Sequence, residues 1–154
     1  MHALERRQRI AAPPEAVFAF FSDPANLARL TPAWLSFRIH GDPPAALGEG
    51  SRIEHRIRWG LVTLRWVTRI TRWNPSVEFE DVQERGPYAA WTHVHRFRPD
   101  GDGVVMEDRV AYLLPFGALG RLVHRLRVRG QLERIFDYRS EQIARIFPDG
   151  DAAR

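Results

Sequence analysis

The most restrictive feature of this sequence is a change in its hydrophobic period. Between Trp34 and Leu114, apolar and polar residues alternate as in half-buried strands, and turn segments such as GDPPAALGEG, WNPS, RGPYAA and PDGDG interrupt the alternation. From Leu119 to Phe147, apolar residues instead recur every three or four positions, as on one side of a helix. The chain therefore has to pack a series of antiparallel hairpins against one long helix.

The first third of the chain predicts a strand followed by two short helices. Residues 4–10 form the strand, and the proline pair at 13–14 fits the first turn of a helix. Asp23 is a good N-cap for a second helix, with Pro24 at its first position and Thr31-Pro32 at its end. No linker separates the two helices.

The alternating region predicts six more strands, near residues 33–40, 51–59, 61–72, 76–85, 90–98 and 104–113. A turn at Trp59-Gly60 separates the second of these from the third. The last helix is the only element large enough to cover the sheet. We therefore predict an α+β, helix-grip fold: a curved seven-stranded antiparallel sheet around a long C-terminal helix, with two short helices after strand 1.

Length and composition indicate one globular domain and exclude several chemistries. The 154 residues predict a single domain, 1–154, that buries about 70% of its unfolded surface. The absence of cysteine excludes disulfides, thiolate metal sites and cysteine nucleophiles. All 23 basic residues are arginine, so Schiff-base catalysis by lysine is excluded as well.

Charge and hydropathy limit the partners and the location. The formal net charge is +4, but the arginines are spread along the chain and no nucleic-acid-recognition motif accompanies them, so we expect no nucleic-acid partner. No apolar run predicts a transmembrane helix, and MHALERRQRI does not have the residue order of a signal peptide. Cytoplasm is the default location, and the oligomeric state cannot be read from the sequence.

Three segments connect the chain to a known superfamily: FxDxQxxGPYxxWxHxHxF at 79–97, DxVxYxxPxG at 108–117 and IFxYR at 135–139. With the order of elements, they resemble the START/Bet v1-like (SRPBCC) helix-grip superfamily, in particular its bacterial polyketide cyclase/dehydrase-like branch. They are also similar to a domain fused to epimerase-like proteins called cell-division inhibitors. The resemblance implies a cavity between sheet and helix for a hydrophobic ligand such as a lipid, quinone or polyketide, and it supplies no catalytic residues.

The segment WTHVHRF contains the most informative side chains. In a strand, Trp91, His93, His95 and Phe97 point to the same face. Charged residues of both signs occupy the opposite face, which is therefore the better candidate for solvent. The two histidines are thus predicted to point inward.

Turn positions predict a partner for each histidine. Centring the turns before and after this strand places Asp81 opposite His93 and Asp108 opposite His95, each within hydrogen-bond reach. We expect the aspartates to raise the histidine pKa values unless burial outweighs them. Four ionisable groups on an inner face are explained more easily by a wet cavity than by a dry core.

The predicted register extends this polar group into a pocket with aromatic walls. Gln83 is placed opposite Trp91, and Trp91 opposite Tyr112, while His55 and Trp66 on the preceding strands are able to line the same space. The predicted ligand-binding residues are His55, Trp66, Asp81, Gln83, Trp91, His93, His95, Phe97, Asp108 and Tyr112.

Several functions fit this pattern. The histidine-aspartate pairs are structural, or they act as general acid and base in a cyclase or dehydratase, with His93, His95, Asp81 and Asp108 as catalytic candidates. A metal site lacks a third histidine, since His55 is predicted three strands away, and we expect neither metal nor other cofactor. We favour binding of a hydrophobic or aromatic small molecule over catalysis and over a protein-interaction module without a ligand.

The start of the last helix carries a basic stripe. Arg121, Arg125 and Arg129 follow one another at intervals of four beside Leu122 and Leu126. The sequence predicts that the leucines pack on the sheet and the arginines form an exposed polar face. Weak peripheral contact with an anionic membrane is the alternative, without stable insertion.

Overall fold

The computed structural model describes residues 1–59 and 61–148, without the side chains of Trp59, Leu119 and Arg121. Gly60, in the predicted turn, and residues 149–154 of the predicted domain lie outside this description. None of the described helices is long and apolar enough to cross a membrane. The elements are β1 (His2–Ile10), α1 (Pro14–Ser22), 3-10 helices at Pro24–Ala28 and Ala33–Leu35, β2 (Arg38–Ile39), β3 (Arg52–Trp59), β4 (Val62–Asn74), β5 (Glu78–Arg85), β6 (Ala90–Asp100), β7 (Gly103–Leu113), α2 (Gly117–Val123), a π-helical segment at His124–Val128, and α3 (Arg129–Ile146).

Within the described residues, the seven strands form one antiparallel sheet in the order β1-β7-β6-β5-β4-β3-β2. Strands β2 to β7 pair with their neighbours in the chain, and β1 joins the sheet beside β7. The pairing of β4 with β5 shifts at Val67/Thr68 and at Ile70/Arg72, and such irregularities bend a sheet. The predicted curved sheet around a long C-terminal helix is confirmed.

Local signals explain the two helices after β1. Pro14 occupies the first position of α1. The side chain of Asp23 accepts a hydrogen bond of 2.9 Å from the backbone nitrogen of Ala25, as expected of an N-cap. The second helix is of the 3-10 type and ends at Ala28, because only a few residues separate its cap from the Thr31-Pro32 stop.

The predicted strand at 33–40 is mostly wrong. Only Arg38–Ile39 pairs with β3, and Ala33–Leu35 forms a 3-10 helix instead. Ser36 then adopts a left-handed conformation with φ of 46°, which a strand cannot contain. The apolar spacing that predicted a strand comes from a helical turn that buries Leu35.

Two apolar clusters connect the sheet to α3. The C-terminal half of α3 places Ile143 in a cluster with Phe18, Phe79 and Phe97. The N-terminal half contributes to a second cluster, formed by Val110, Tyr112, Val128, Leu132 and Phe136. The polar groups of WTHVHRF therefore lie between two dry regions.

The last helix is less regular than predicted. A π-helical turn, with a hydrogen bond from the Arg129 nitrogen to the His124 carbonyl, separates α2 from α3. The wider turn puts the residues before it out of phase with the apolar stripe of α3. Leu122 and Leu126 are consequently 47% and 68% exposed, so the prediction that they pack on the sheet is wrong.

The structure predicts a large difference between two phenylalanines. Phe97 is 1% exposed and packs against the rings of Phe18, Phe21 and Phe79, whereas Phe116 is 81% exposed. Phe97→Ala should therefore lower the free energy of unfolding by about 3–5 kcal/mol, because it leaves a cavity in the core. Phe116→Ala is the matched control and should change it by less than about 0.5 kcal/mol. Urea denaturation measures both, and similar values for the two variants would contradict this packing.

Candidate functional site

A cavity of about 220 Å³ lies between the sheet and α3. Apolar side chains from β3, β4, the 3-10 helices and α3 form most of its lining. Trp66, Tyr88 and Trp91 form an aromatic wall, with ring centroids 4.8 Å apart for Tyr88 and Trp91 and 5.1 Å apart for Trp66 and Trp91. The ionisable side chains of the lining include Asp81 on β5, His93 and His95 on β6, and Arg139 on α3.

The backbone register at the histidines is the predicted one. Asp81 pairs with His93 across β5 and β6, and His95 pairs with Asp108 across β6 and β7. All four side chains lie on the inner side of the sheet, and both histidines are buried. Strand alternation and turn position were therefore sufficient to orient this group.

The side chains of the histidines and aspartates only partly form the predicted pairs. His95 Nδ1 lies 2.8 Å from Asp108 Oδ1, as predicted, but His93 Nδ1 lies 3.8 Å from Asp81 Oδ2, beyond hydrogen-bond distance. His93 instead bonds through Nε2 to Asp108 Oδ1 at 2.9 Å, and His95 through Nε2 to Asp81 Oδ2 at 3.3 Å. Diagonal neighbours in a sheet are within reach of long side chains, so rotamers decided these pairs.

Arg139 completes the group and was missed by the sequence analysis. Its Nη2 donates to His95 Nδ1 at 3.3 Å, and its Nε lies 3.6 Å from Asp108 Oδ2. The guanidinium also lies over the rings of Phe21 and Phe136, at 5.1 and 5.9 Å from their centroids. An arginine at an inward position of an otherwise apolar helical stripe is the signal that could have identified it.

Asp108 and His93 both have lowered pKa values, for different reasons, and these values set their protonation states. Burial alone would raise the pKa of Asp108, but Arg139, the hydrogen bond from His93 and the neighbouring His95 hold that pKa well below its usual range. Burial, together with the neighbouring His95, lowers the pKa of His93 against the attraction of both aspartates. For His93 the stated exception to the expected rise therefore applies, because desolvation outweighs the attraction of its partners.

The tautomer of His93 follows from these states. An ionised Asp108 can only accept hydrogen bonds, so the neutral imidazole of His93 donates from Nε2. Its Nδ1 then carries a lone pair on the side of Asp81, where both residues line the cavity. The protein therefore offers the cavity a neutral acceptor held in position by a buried carboxylate.

His55 lines the cavity as a second neutral imidazole. Burial lowers its pKa to about 4, despite the attraction of Asp81. Its ring lies 5.8 Å from that of Trp66 and 4.9 Å from that of Phe37. Among the described atoms, its buried Nδ1 has no hydrogen-bond partner. Such an atom is costly to bury and is able to contact a polar ligand.

Four predicted ligand-binding residues do not line the cavity. Phe97 belongs to the apolar core, and the Tyr112 hydroxyl lies 2.8 Å from His124 Nε2. Gln83 is adjacent to Thr68 on β4, and its amide bonds to the backbone of Tyr88. Asp108 contacts the histidines and Arg139 and is not part of the lining. The remaining predicted residues line the cavity, namely His55, Trp66, Asp81, Trp91, His93 and His95.

The geometry also allows one metal-like arrangement. Asp81, His93 and His95 each offer a ligand atom, and these atoms lie within 4.8 Å of one another. However, Arg139 Nη2 already lies 3.3 Å from His95 Nδ1 and supplies positive charge to the same group. A divalent cation would be repelled by this guanidinium and is not required to compensate Asp108.

Comparisons with solved structures show the fold. Protein CV1439 from Chromobacterium violaceum is 15% identical with a TM-score of 0.73, and the match covers 96% of this chain and 98% of that one. Major latex-like protein 151 from Panax ginseng is 10% identical with a TM-score of 0.69, and the match again covers 96% and 98%.

A third structure is a much longer protein. A nucleoside-diphosphate sugar epimerase from Corynebacterium glutamicum is 23% identical with a TM-score of 0.66, and the match covers 91% of this chain but only 28% of the epimerase. A search of curated protein sequences finds no match.

The family itself is shown by a sequence model. The model described as polyketide cyclase / dehydrase and lipid transport matches residues 1–146, nearly the whole described chain. Together with the seven-stranded sheet and the long last helix, this match shows that the chain belongs to the polyketide cyclase/dehydrase and lipid transport family, within the Bet v1-like, SRPBCC type of helix-grip proteins.

Proposed function

We propose that the chain binds a small apolar molecule with aromatic surface in the cavity between its sheet and α3. The observation that carries this proposal is the aromatic wall of Trp66, Tyr88 and Trp91 facing a polar group that includes Asp81 and His93. Apolar walls with a few placed polar groups are typical of small-molecule sites. Membership of a family described by both cyclases and lipid transport supports the same ligand class.

The size of the cavity favours a compact ligand. Its volume of about 220 Å³ is below the roughly 300–1,000 Å³ of pockets for drug-sized molecules. Edge-to-face tryptophan and tyrosine rings offer flat apolar surface rather than a long channel. We therefore favour a ligand of one or two fused rings over a long acyl chain.

The charges favour a hydrogen-bond donor on this ligand. Arg139 and Asp108 form an ion pair, whereas the Asp81 carboxylate lines the cavity without an arginine partner among the described residues. The two imidazoles with lowered pKa values, His55 and His93, are neutral acceptors near pH 7. A hydroxyl group satisfies such acceptors, whereas a carboxylate would be repelled by Asp81. Raised histidine pKa values would have favoured a ligand with an anionic head group. The lowered pKa values favour a ligand with a hydroxyl group instead.

Catalysis is a second candidate, favoured by one observation. Asp108 fixes the His93 tautomer and leaves Nδ1 unprotonated at the cavity, as required of a general base. A bound ketone could lose a proton from the carbon beside its carbonyl to this nitrogen, which would begin a ring closure or a dehydration. Binding remains our main proposal because an aromatic wall and a mostly apolar lining account for the cavity without a reaction.

Head-group preference provides the first test. Naphthol should quench tryptophan fluorescence and bind at least about tenfold more tightly than naphthoate, because Asp81 accepts from a hydroxyl and repels a carboxylate. Asp81→Asn keeps the size of the side chain, removes its charge and should narrow this difference. Asp137→Asn, at an exposed residue paired with Arg6, is the control and should leave the difference unchanged.

Two outcomes would contradict the proposal. Equal affinity for naphthol and naphthoate would show that Asp81 does not face the ligand, and no quenching by either compound would argue against a ligand cavity. Extraction and mass spectrometry of keto-substituted naphthalenes after incubation separate the two candidate functions. Recovery of unchanged compound supports binding, and conversion that is lost in His93→Gln supports catalysis.

The affinity for naphthol should depend on pH in the acidic range. The acceptors of the hydroxyl are neutral imidazoles whose pKa values lie below 6.5, at about 4 for His55. Affinity should therefore be constant above pH 6.5 and fall as the pH decreases below 6.5 toward the lowered pKa values, because protonation removes an acceptor. Fluorescence titrations of wild type and His93→Gln should differ in this slope, while His40→Gln, on the surface, should match wild type. Affinity that falls with rising pH would contradict neutral histidines.

Metal content is a separate test. Protein purified without affinity tags should contain no stoichiometric zinc or iron, and a chelator should not lower its melting temperature, because Arg139 occupies the electrostatic role of a cation. Elemental analysis measures the content directly. Near-equimolar metal that disappears in His93→Ala but persists in His40→Ala would replace this proposal with a metal site.

A further inference from the structure

The segment before α3 exposes an apolar patch. Phe116, Leu122, Val123 and Leu126 are 81%, 47%, 41% and 68% exposed. Single exposed apolar residues are ordinary, but four within eleven consecutive positions are a concentration that marks interaction surfaces. The π-helical turn contributes to it, because it puts Leu122 and Val123 out of phase with the stripe that α3 packs on the sheet.

The same segment is strongly basic. Arg125 and Arg127 are exposed, and in the described part of the chain neither forms an ion pair. Arg129 is exposed as well and pairs with Glu133. The sequence contains no acidic residue between Arg109 and Glu133. On the sheet, several exposed arginines alternate with glutamates and pair with them, namely Arg52, Arg65, Arg72 and Arg96.

We propose that this basic apolar surface, formed by Phe116, Leu122, Val123, Arg125, Leu126 and Arg127, docks on an anionic membrane. Apolar side chains enter the boundary between headgroups and hydrocarbon, while the arginines contact anionic headgroups. A bilayer accepts both chemistries at once.

Other occupants fit the surface less well. A second copy of the chain would bring two sets of unpaired arginines together, which like-charge repulsion opposes. Nucleic acid would contact the arginines but leave the leucines and Phe116 without apolar partners. The mixture of charge and apolar area is therefore the feature that selects the membrane.

The surface is also adjacent in sequence to the cavity. Val128 is buried at the end of the π-helical turn, and Val128, Gln131 and Leu132 line the cavity. Docking would thus hold the start of the cavity-lining helix at the bilayer, where apolar molecules are concentrated. The docking proposal does not depend on this link and stands or falls without a ligand.

Vesicle cosedimentation tests the proposal. The full chain should bind vesicles of phosphatidylcholine with phosphatidylserine and not vesicles of phosphatidylcholine alone, and added salt should weaken binding. The double variants Leu122→Ser/Leu126→Ser and Arg125→Gln/Arg127→Gln should each weaken binding at least about tenfold, because both contributions are required. The matched control Val77→Ser/Arg38→Gln changes one exposed apolar residue in the turn between β4 and β5 and one exposed basic residue on β2, and it should bind like wild type.

Each alternative has a distinct result. An effect of the arginine pair without an effect of the leucine pair would overturn the proposal, since it reports charge attraction alone. Loss of a dimer in the leucine variant, measured by analytical ultracentrifugation without vesicles, would assign the surface to a second copy. If the control variant binds vesicles as weakly as the leucine variant, vesicle binding does not depend on this surface in particular. Unchanged melting temperatures verify that these exposed substitutions leave the fold intact.

Discussion

The contact between Arg139 on α3 and Asp108 on β7 is the interaction on which the rest of this structure depends. It places a positive and a negative charge 3.6 Å apart in the interior, where both side chains are buried between α3 and the inner face of the sheet. Removing either partner would leave a buried charge uncompensated, at a cost of about 3–5 kcal/mol. The ion pair therefore fixes where along its length α3 can lie against the sheet.

That position organises the interior. Phe136 and Ile143 flank Arg139 on α3 and enter different apolar clusters, so the charged contact separates two dry regions. Histidines from β6 fill the space between the charges, because they can donate to Asp108 and accept from Arg139 at the same time. The cavity opens beside this group, where charge prevents close packing of apolar side chains.

The sequence predicted the parts of this arrangement that depend on local periodicity. Strand alternation has a period of two, so one correct turn position determined that His95 faces Asp108. Arg139 was not predicted, because its partners are 31 and 44 residues away and no local pattern connects them. The side-chain pairing of His93 and the exposure of Leu126 also depend on rotamers and on a π-helical turn, neither of which periodicity reveals.

The same burial that makes the group difficult to predict determines its chemistry. A histidine beside a carboxylate is usually expected to be protonated more easily, but His93 is enclosed so completely that desolvation dominates its pKa. The neighbouring His95 acts in the same direction as burial, because a second imidazole disfavours an added positive charge. Burial thus keeps this histidine neutral, and the cavity presents acceptors although charged residues lie beside them.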